Sequence, residues 1–253
     1  MLRFIYRAYQ LIICAPLIVI VLAIMTALTV VGTQIGNPHF WAYHPGRLWS
    51  KFIVKILFLP VKVTGRENLK EGESYVFVAN HQGSFDIFLV YGYLCKNFKW
   101  MMKWQLLNIP LVGATCRASK HIIVDKRSSS KIKKTYEDAR NTLSGGMSIV
   151  LFPEGARTFT GHMGLFRRGG FMLADELQLP VVPLTINGSF DVMPRQKDMH
   201  FANWHPLSLT IHKPIYPTCK GTENQKRLSE ESYAAIQSAL VPEYQGYVEN
   251  PDQ

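Results

Sequence analysis

Residues 11–32 are apolar at every position except Thr26 and Thr29, and no Lys, Arg, Asp or Glu stands between Ala8 and Gly46. Wound as a helix, such a run is about 33 Å long, enough to cross the hydrocarbon core of a bilayer. A cleaved signal peptide is the alternative, since Arg3 and Arg7 resemble a positive n-region. Against it, the run exceeds an h-region of about 7 to 15 residues and no small-residue cleavage site closes it. In residues 48–59, Lys51 and Lys55 lie one helical turn apart among Phe52, Ile53, Ile56, Leu57 and Leu59. That spacing suits a helix in the membrane interface with its lysines at the headgroups, and equally a core element of the domain that follows. Basic residues flank the apolar run on both sides, so charge bias does not orient it.

After Pro60 the period changes. Val61-Lys62-Val63-Thr64 alternates as a strand, 65–72 reads as a polar turn, and 74–79 is a short β-prone apolar run of the kind found in buried strands. Residues 87–94 predict a helix packed on that sheet, 98–102 and 122–124 further strands, and Pro110 the start of a short helix at Leu111. Over 128–143, Ile132, Tyr136, Ala139 and Leu143 form one apolar stripe among charged residues, and Gly145-Gly146 ends the helix. Strands over 147–151, 181–186 and 207–212, with helices over 169–179 and 228–240, complete the alternation. The pattern predicts an α/β protein without internal repeats. A single domain with a mainly parallel or mixed sheet covered by helices, residues 61–253, is preceded by an N-terminal membrane-associated helical segment, residues 1–60.

The formal charge of +10 favours an anionic partner: nucleic acid, phospholipid headgroups or a phosphorylated substrate. Cys14, Cys95, Cys116 and Cys219 are scattered without a C-x-x-C, which reads as reduced thiols and a catalytic part facing the cytoplasm; pairing in an oxidising compartment is the alternative. The pairs His39/His44 and His200/His205 lack an H-E-x-x-H frame, so no metal site is expected. There is no G-x-S-x-G elbow and no glycine loop of either nucleotide-binding type. The basic helix keeps its aromatic, Tyr136, in the apolar stripe rather than among its charges, so nucleic acid is not an expected partner.

The chemistry concentrates in Asn80-His81-Gln82-Gly83-Ser84-Phe85-Asp86 and in Phe152-Pro153-Glu154-Gly155-Ala156-Arg157, each directly after a strand-like run. Neither helix nor strand periodicity puts His81 and Asp86 on one face. A strand-to-helix turn does so: Gly83 permits the bend, Ser84 caps the helix, and Asp86 lies in its first turn. There the carboxylate can take a proton from one ring nitrogen and leave the other as a base. The plainer alternative is a hydrogen-bonded histidine at the sheet edge and an aspartate complementing the helix dipole. In the second block Pro153 fixes the chain, Glu154 places a carboxylate, Gly155 lets backbone approach a ligand, and Arg157 offers planar donors suited to phosphate. A tight surface loop with a solvated Arg and a structural Glu is the plainer alternative there. Lys126, Arg127, Arg167 and Arg168 can share anion recognition or simply form a solvated face.

On these two blocks the chain resembles the bacterial 1-acyl-sn-glycerol-3-phosphate acyltransferase family of glycerolipid acyltransferases. NHQGSFD is similar to the family's N-H-x-x-x-x-D block and FPEGAR to its F-P-E-G-[TA]-R block, with weaker likeness at 103–113 (KWQLLNIPLVG) and 181–184 (VVPL). Gln105 stands where the family commonly has Glu, Lys126 where Arg is usual and Lys120 where Gly is expected. The resemblance implies that His81 is the general base on the sn-2 hydroxyl of lysophosphatidic acid and that Asp86 orients it. It further implies that Glu154 and Gly155 shape the glycerol site and that Arg157, with Lys126, holds the phosphate. The hydroxyl would attack the thioester of acyl-CoA or acyl carrier protein, the acyl donor, giving phosphatidic acid for phospholipid synthesis with no cofactor. An acyltransferase for a different lysolipid acceptor and a non-catalytic membrane-bound lipid-binding protein are the competing expectations. The resemblance also implies monotopic attachment through 11–32 and 48–59 to membrane phospholipid, at a bacterial inner membrane with the catalytic domain on the cytoplasmic side.

Overall fold

Val76 and Val78 turn to one side of a β-sheet and Tyr75, Phe77 and Ala79 to the other, and all five are fully buried. A strand covered on both faces needs apolar residues at every position, which is why 74–79 shows no polar alternation. The computed structural model describes residues 1–195 and 201–249. Its strands are β1 (Val61–Thr64), β2 (Val76–Ala79), β3 (Phe98–Lys103), β4 (Ile122–Val124), β5 (Ser148–Leu151), β6 (Val181–Asn187) and β7 (Leu207–Ile211). Among the described residues they form a seven-stranded sheet in the order β1-β7-β6-β2-β5-β3-β4. Every neighbouring pair is parallel except β6 with β7, so the sheet is mixed, and the chain is a single α/β domain of the expected class.

At the N-terminus, α1 (Leu2–Tyr9), a π-helical turn (Gln10–Cys14) and α2 (Ala15–Ile35) run on as one rod, and α3 (Pro38–Ile56) folds back along it. The reversal has a local cause. Asn37 accepts hydrogen bonds from the backbone N–H of His39 and Phe40, Pro38 opens the helix, and the Trp41 ring lies where any side chain on Gly32 or Gly36 would stand. Helix α3 therefore starts well before the lysine-spaced segment. Tyr43, Ile53, Val54 and Leu57 are buried in one cluster with Leu89 and Tyr91 of α4 (Phe85–Tyr93), so one side of residues 48–59 belongs to the core, while Leu48, Lys55 and Phe58 are exposed. This cluster crosses the compositional boundary at Pro60.

The rod is stitched to the rest of the molecule. Tyr6 and Tyr9 donate to the carbonyls of Leu57 and Ile56 at the end of α3, and the Gln10 amide exchanges two hydrogen bonds with the backbone of Ala202, at 2.8 and 2.9 Å. Thr26 meets Thr115 of α5 (Val112–Ala118) at 2.9 Å. Its outer face, including Leu17, Ile20, Ile24 and Leu28, is exposed. Leu2–Ile35 is the one helix among the described residues long and apolar enough to cross a membrane, and only 11% of its most apolar window is buried. The rod thus carries a long uncovered apolar face, of the kind that associates with a membrane.

Helices α3 and α4 cover one face of the sheet; α6 (Ser129–Ser144), α7 (Gly169–Leu177) and, beyond the short α8 (Ser189–Val192), α9 (Thr222–Ser238) cover the other. In α6 the buried face is Thr135, Ala139 and Leu143, with Ile132 exposed, because Thr135 donates to Ile123 O and draws that side inward. Helix α9 begins earlier than its apolar residues suggest. Asp175, on α7, accepts hydrogen bonds from Gly221 N and from the side chains of Asn224 and Gln225, capping α9 from another element. All four cysteines are free thiols.

Candidate active site

Strands β6, β2, β5, β3 and β4 run parallel, so their carboxyl ends open on one edge, where open α/β sheets bind ligands. Both sequence blocks and Lys126 emerge there. Where β2 stops, Asn80 continues the ladder with its side chain: it donates to Ile186 O and accepts from Ile186 N, at 2.9 and 2.8 Å. Gln82, equally buried, donates to Gly161 O. Neither contact is visible in the sequence, because each partner lies far along the chain.

His81 Nδ1 stands 2.7 Å from Asp86 Oδ2, which also accepts from Gly83 N at 2.9 Å. Asp86 is fully buried, while the His81 side chain keeps 14% of its surface. A carboxylate there makes Nδ1 the donor and leaves Nε2 with its lone pair; Nε2 has no hydrogen-bond partner among the described residues. The imidazole lies flat on Phe152, 3.8 Å between centroids, and Phe152 stacks in turn on Trp100. The turn differs in detail from the expected one. Asp86 itself takes up the Gly83 N–H, and Ser84 makes no capping bond; its hydroxyl accepts from Arg157 Nη1 at 2.5 Å. Gly83 is required by space rather than by φ, since a Cβ there would lie 2.4 Å from the carbonyl oxygen of Ser189.

Glu154 joins the two blocks. It is 2% exposed, and its carboxyl oxygens accept from His81 N and Gly164 N, each at 2.7 Å. Burial pushes its pKa from the ordinary 4.5 up to about 8, helped by Asp86 and opposed by the two N–H donors. Gly155 adopts φ +79°, a left-handed turn that glycine takes without strain, and packs against Arg167.

Around this pair stand Lys103 at the end of β3, Lys126 beyond β4, and Arg157, Arg167 and Arg195. None of the five forms an ion pair with Asp or Glu among the described residues. The Lys103 ammonium is held below its usual pKa by partial burial and then by the charges of Arg195, Arg167, Lys126 and Arg157. Arg127, by contrast, is engaged: it pairs with Asp125 at 2.7 Å and lies over Trp104. Arg195 draws no attention in the sequence alone, and Lys103 does so only as the first residue of the 103–113 likeness, because the cations around them lie far along the chain. No three His, Cys, Asp or Glu side chains gather as a metal site among the described residues. His44 stacks on Phe40, and His200 lies outside the described residues.

The chain is similar to known proteins. The sequence model of the family described as Acyltransferase matches residues 60–187. A 1-acyl-sn-glycerol-3-phosphate acyltransferase of Chlamydomonas reinhardtii is 30% identical over 190 residues, 75% of this chain and 55% of that protein. The 1-acyl-sn-glycerol-3-phosphate acyltransferase alpha of Homo sapiens is 32% identical over 140 residues, 54% of this chain and 50% of that protein. The chain thus spans about half the length of the curated relatives it matches. The crystal structure of the 1-acyl-sn-glycerophosphate (LPA) acyltransferase PlsC from Thermotoga maritima has the same fold, with a TM-score of 0.70 at 22% identity, covering 89% of this chain and 96% of that one. With the family match extending from Pro60 to the end of β6, across both blocks that meet at the sheet edge, the chain belongs to the acyltransferase family.

Proposed function

We propose that this chain transfers an acyl group from a thioester to the sn-2 hydroxyl of 1-acyl-glycerol-3-phosphate, forming phosphatidic acid. The observation that carries the reading is a histidine held by a buried aspartate, sharing one opening with cations that form no ion pair among the described residues. The names of the relatives supply the acceptor. His81 Nε2 removes the hydroxyl proton as the oxygen attacks the thioester carbonyl, and Asp86 stabilises the imidazolium. The tetrahedral intermediate collapses with loss of thiolate, which takes the proton back from Nε2. Arg157, with Lys126, holds the phosphate. Glu154 and Gly155 shape the acceptor site from beneath, by fixing the His81 backbone and turning the Arg157 loop. The reaction as written needs only acceptor and donor, which is acyl-CoA or acyl carrier protein.

The attachment we infer is monotopic, from the cytoplasmic side of a bacterial inner membrane. It is supported by hydrogen bonds from the N-terminal rod to the domain at Tyr6, Gln10 and Thr26, which hold the rod along the domain's flank. The test of the reaction is purified protein in vesicles with lysophosphatidic acid and each donor in turn, followed by thiol release and by mass spectrometry of the lipid. His81→Ala should lower kcat by about 10² to 10⁴-fold. Undiminished turnover in that variant would remove the mechanism.

A further inference from the structure

Arg195 lies beyond the span of the family match, in the segment that follows α8. We propose that Arg195 is a specificity-determining residue that makes the site select a phosphomonoester head group over a phosphodiester one. The proposal rests on the acyl-transfer reading and names the acceptor class of the same site.

The geometry fixes Arg195 in place. Its Nη1 donates to Arg157 O at 3.0 Å, and its guanidinium lies over the Phe159 ring, 4.0 Å from the centroid. Neither contact is with an acid, and among the described residues Arg195 forms no ion pair. Three other arginines do pair with acids, Arg127 with Asp125, Arg140 with Glu176 and Arg227 with Glu231. Here Arg195 stands beside Arg157 and Lys103, and after partial burial it is the leading repulsive charge on each of them. Holding like charges together at a partly dry site disfavours the empty state and favours an anion of matching charge. A phosphomonoester carries about −1.5 to −2 at neutral pH and three acceptor oxygens, one for each of these side chains. A phosphodiester carries a single charge and two free oxygens, and its substituent must enter the space between the cations.

Arg195→Gln should raise KM for lysophosphatidic acid on the order of 10- to 100-fold, the loss expected for one charge-assisted hydrogen bond. The donor KM and kcat should stay within about threefold, because the lost contact serves acceptor binding. Selectivity against a phosphodiester lysolipid should narrow. Arg195→Lys, which keeps the charge and loses the fork, should fall between. Glycerol 3-phosphate binding, measured by calorimetry without turnover, should weaken in parallel. If the protein acylates no lysolipid but glycerol 3-phosphate binding still depends on Arg195, the acyl-transfer reading falls and the phosphomonoester site stands. If lysophosphatidic acid is acylated while Arg195→Gln leaves its KM, its selectivity and glycerol 3-phosphate binding unchanged, the role of Arg195 falls and acyl transfer stands. A change confined to the donor KM overturns the proposal as well.

Discussion

Glu154 illustrates at the residue scale how position alters a side chain's chemistry. Its folded pKa, about 8, lies above the ordinary 4.5, so the folded state binds its proton more tightly than the unfolded chain does. The stability this adds is complete below the unfolded value and is lost as pH rises through about 8. Thermal midpoints between pH 5 and 9 should therefore fall in the wild type relative to Glu154→Gln, which has no proton to lose. The amide replaces one acceptor with a donor, so it lowers stability by an offset, but it removes the slope. Parallel profiles would mean that the two N–H donors keep Glu154 ionised throughout. His81 and Asp86 were legible from sequence because the turn that unites them is local. Glu154 was readable as a carboxylate near a ligand or as a structural one, but its bond to the first block was not, since His81 N lies 73 residues away.

At the scale of elements, the first block is braced from outside. Helix α8 presses the Ser189 carbonyl against Gly83, and Gly161 holds Gln82. Because the obstacle to a Gly83 side chain is backbone, Gly83→Ala should cost about 1 to 3 kcal/mol in stability and reduce kcat together with it. Denaturant unfolding and steady-state rates check this, and unchanged values would show that α8 gives way freely. Periodicity located most strands and helices, but it set α3 too late and α9 too late. In both, the start is made by groups that carry no apolar period: Asn37 with Trp41 for α3, and Asp175 from α7 for α9. Lys120, which stands where the resemblance expects Gly, adopts φ +51°, the left-handed conformation a glycine takes at least strain.

At the scale of the whole molecule, the α/β class was legible because strands buried on both faces announce themselves as short apolar runs. Strand order was not, since β2 pairs with β5 and β6 rather than with its sequence neighbours. The exposed side of the rod makes a separate prediction. Ile20, 54% exposed, contributes to that face, so Ile20→Asp should reduce sedimentation with vesicles on the order of tenfold or more while leaving the thermal midpoint in detergent unchanged. Equal vesicle binding would place the membrane contact elsewhere.

The rod's attachments at Gln10 and Thr26 lie about 24 Å apart along its axis. Two fixed points remove the hinge that a single tether would leave. Under the proposed monotopic attachment, the pitch of the rod in a leaflet and the height of His81 above it are therefore one mechanical variable. A thinner or more curved bilayer would then be met by tilting the whole body rather than by bending a linker, and the distance from the lipid surface to the His81 imidazole becomes a property of the membrane as much as of the protein.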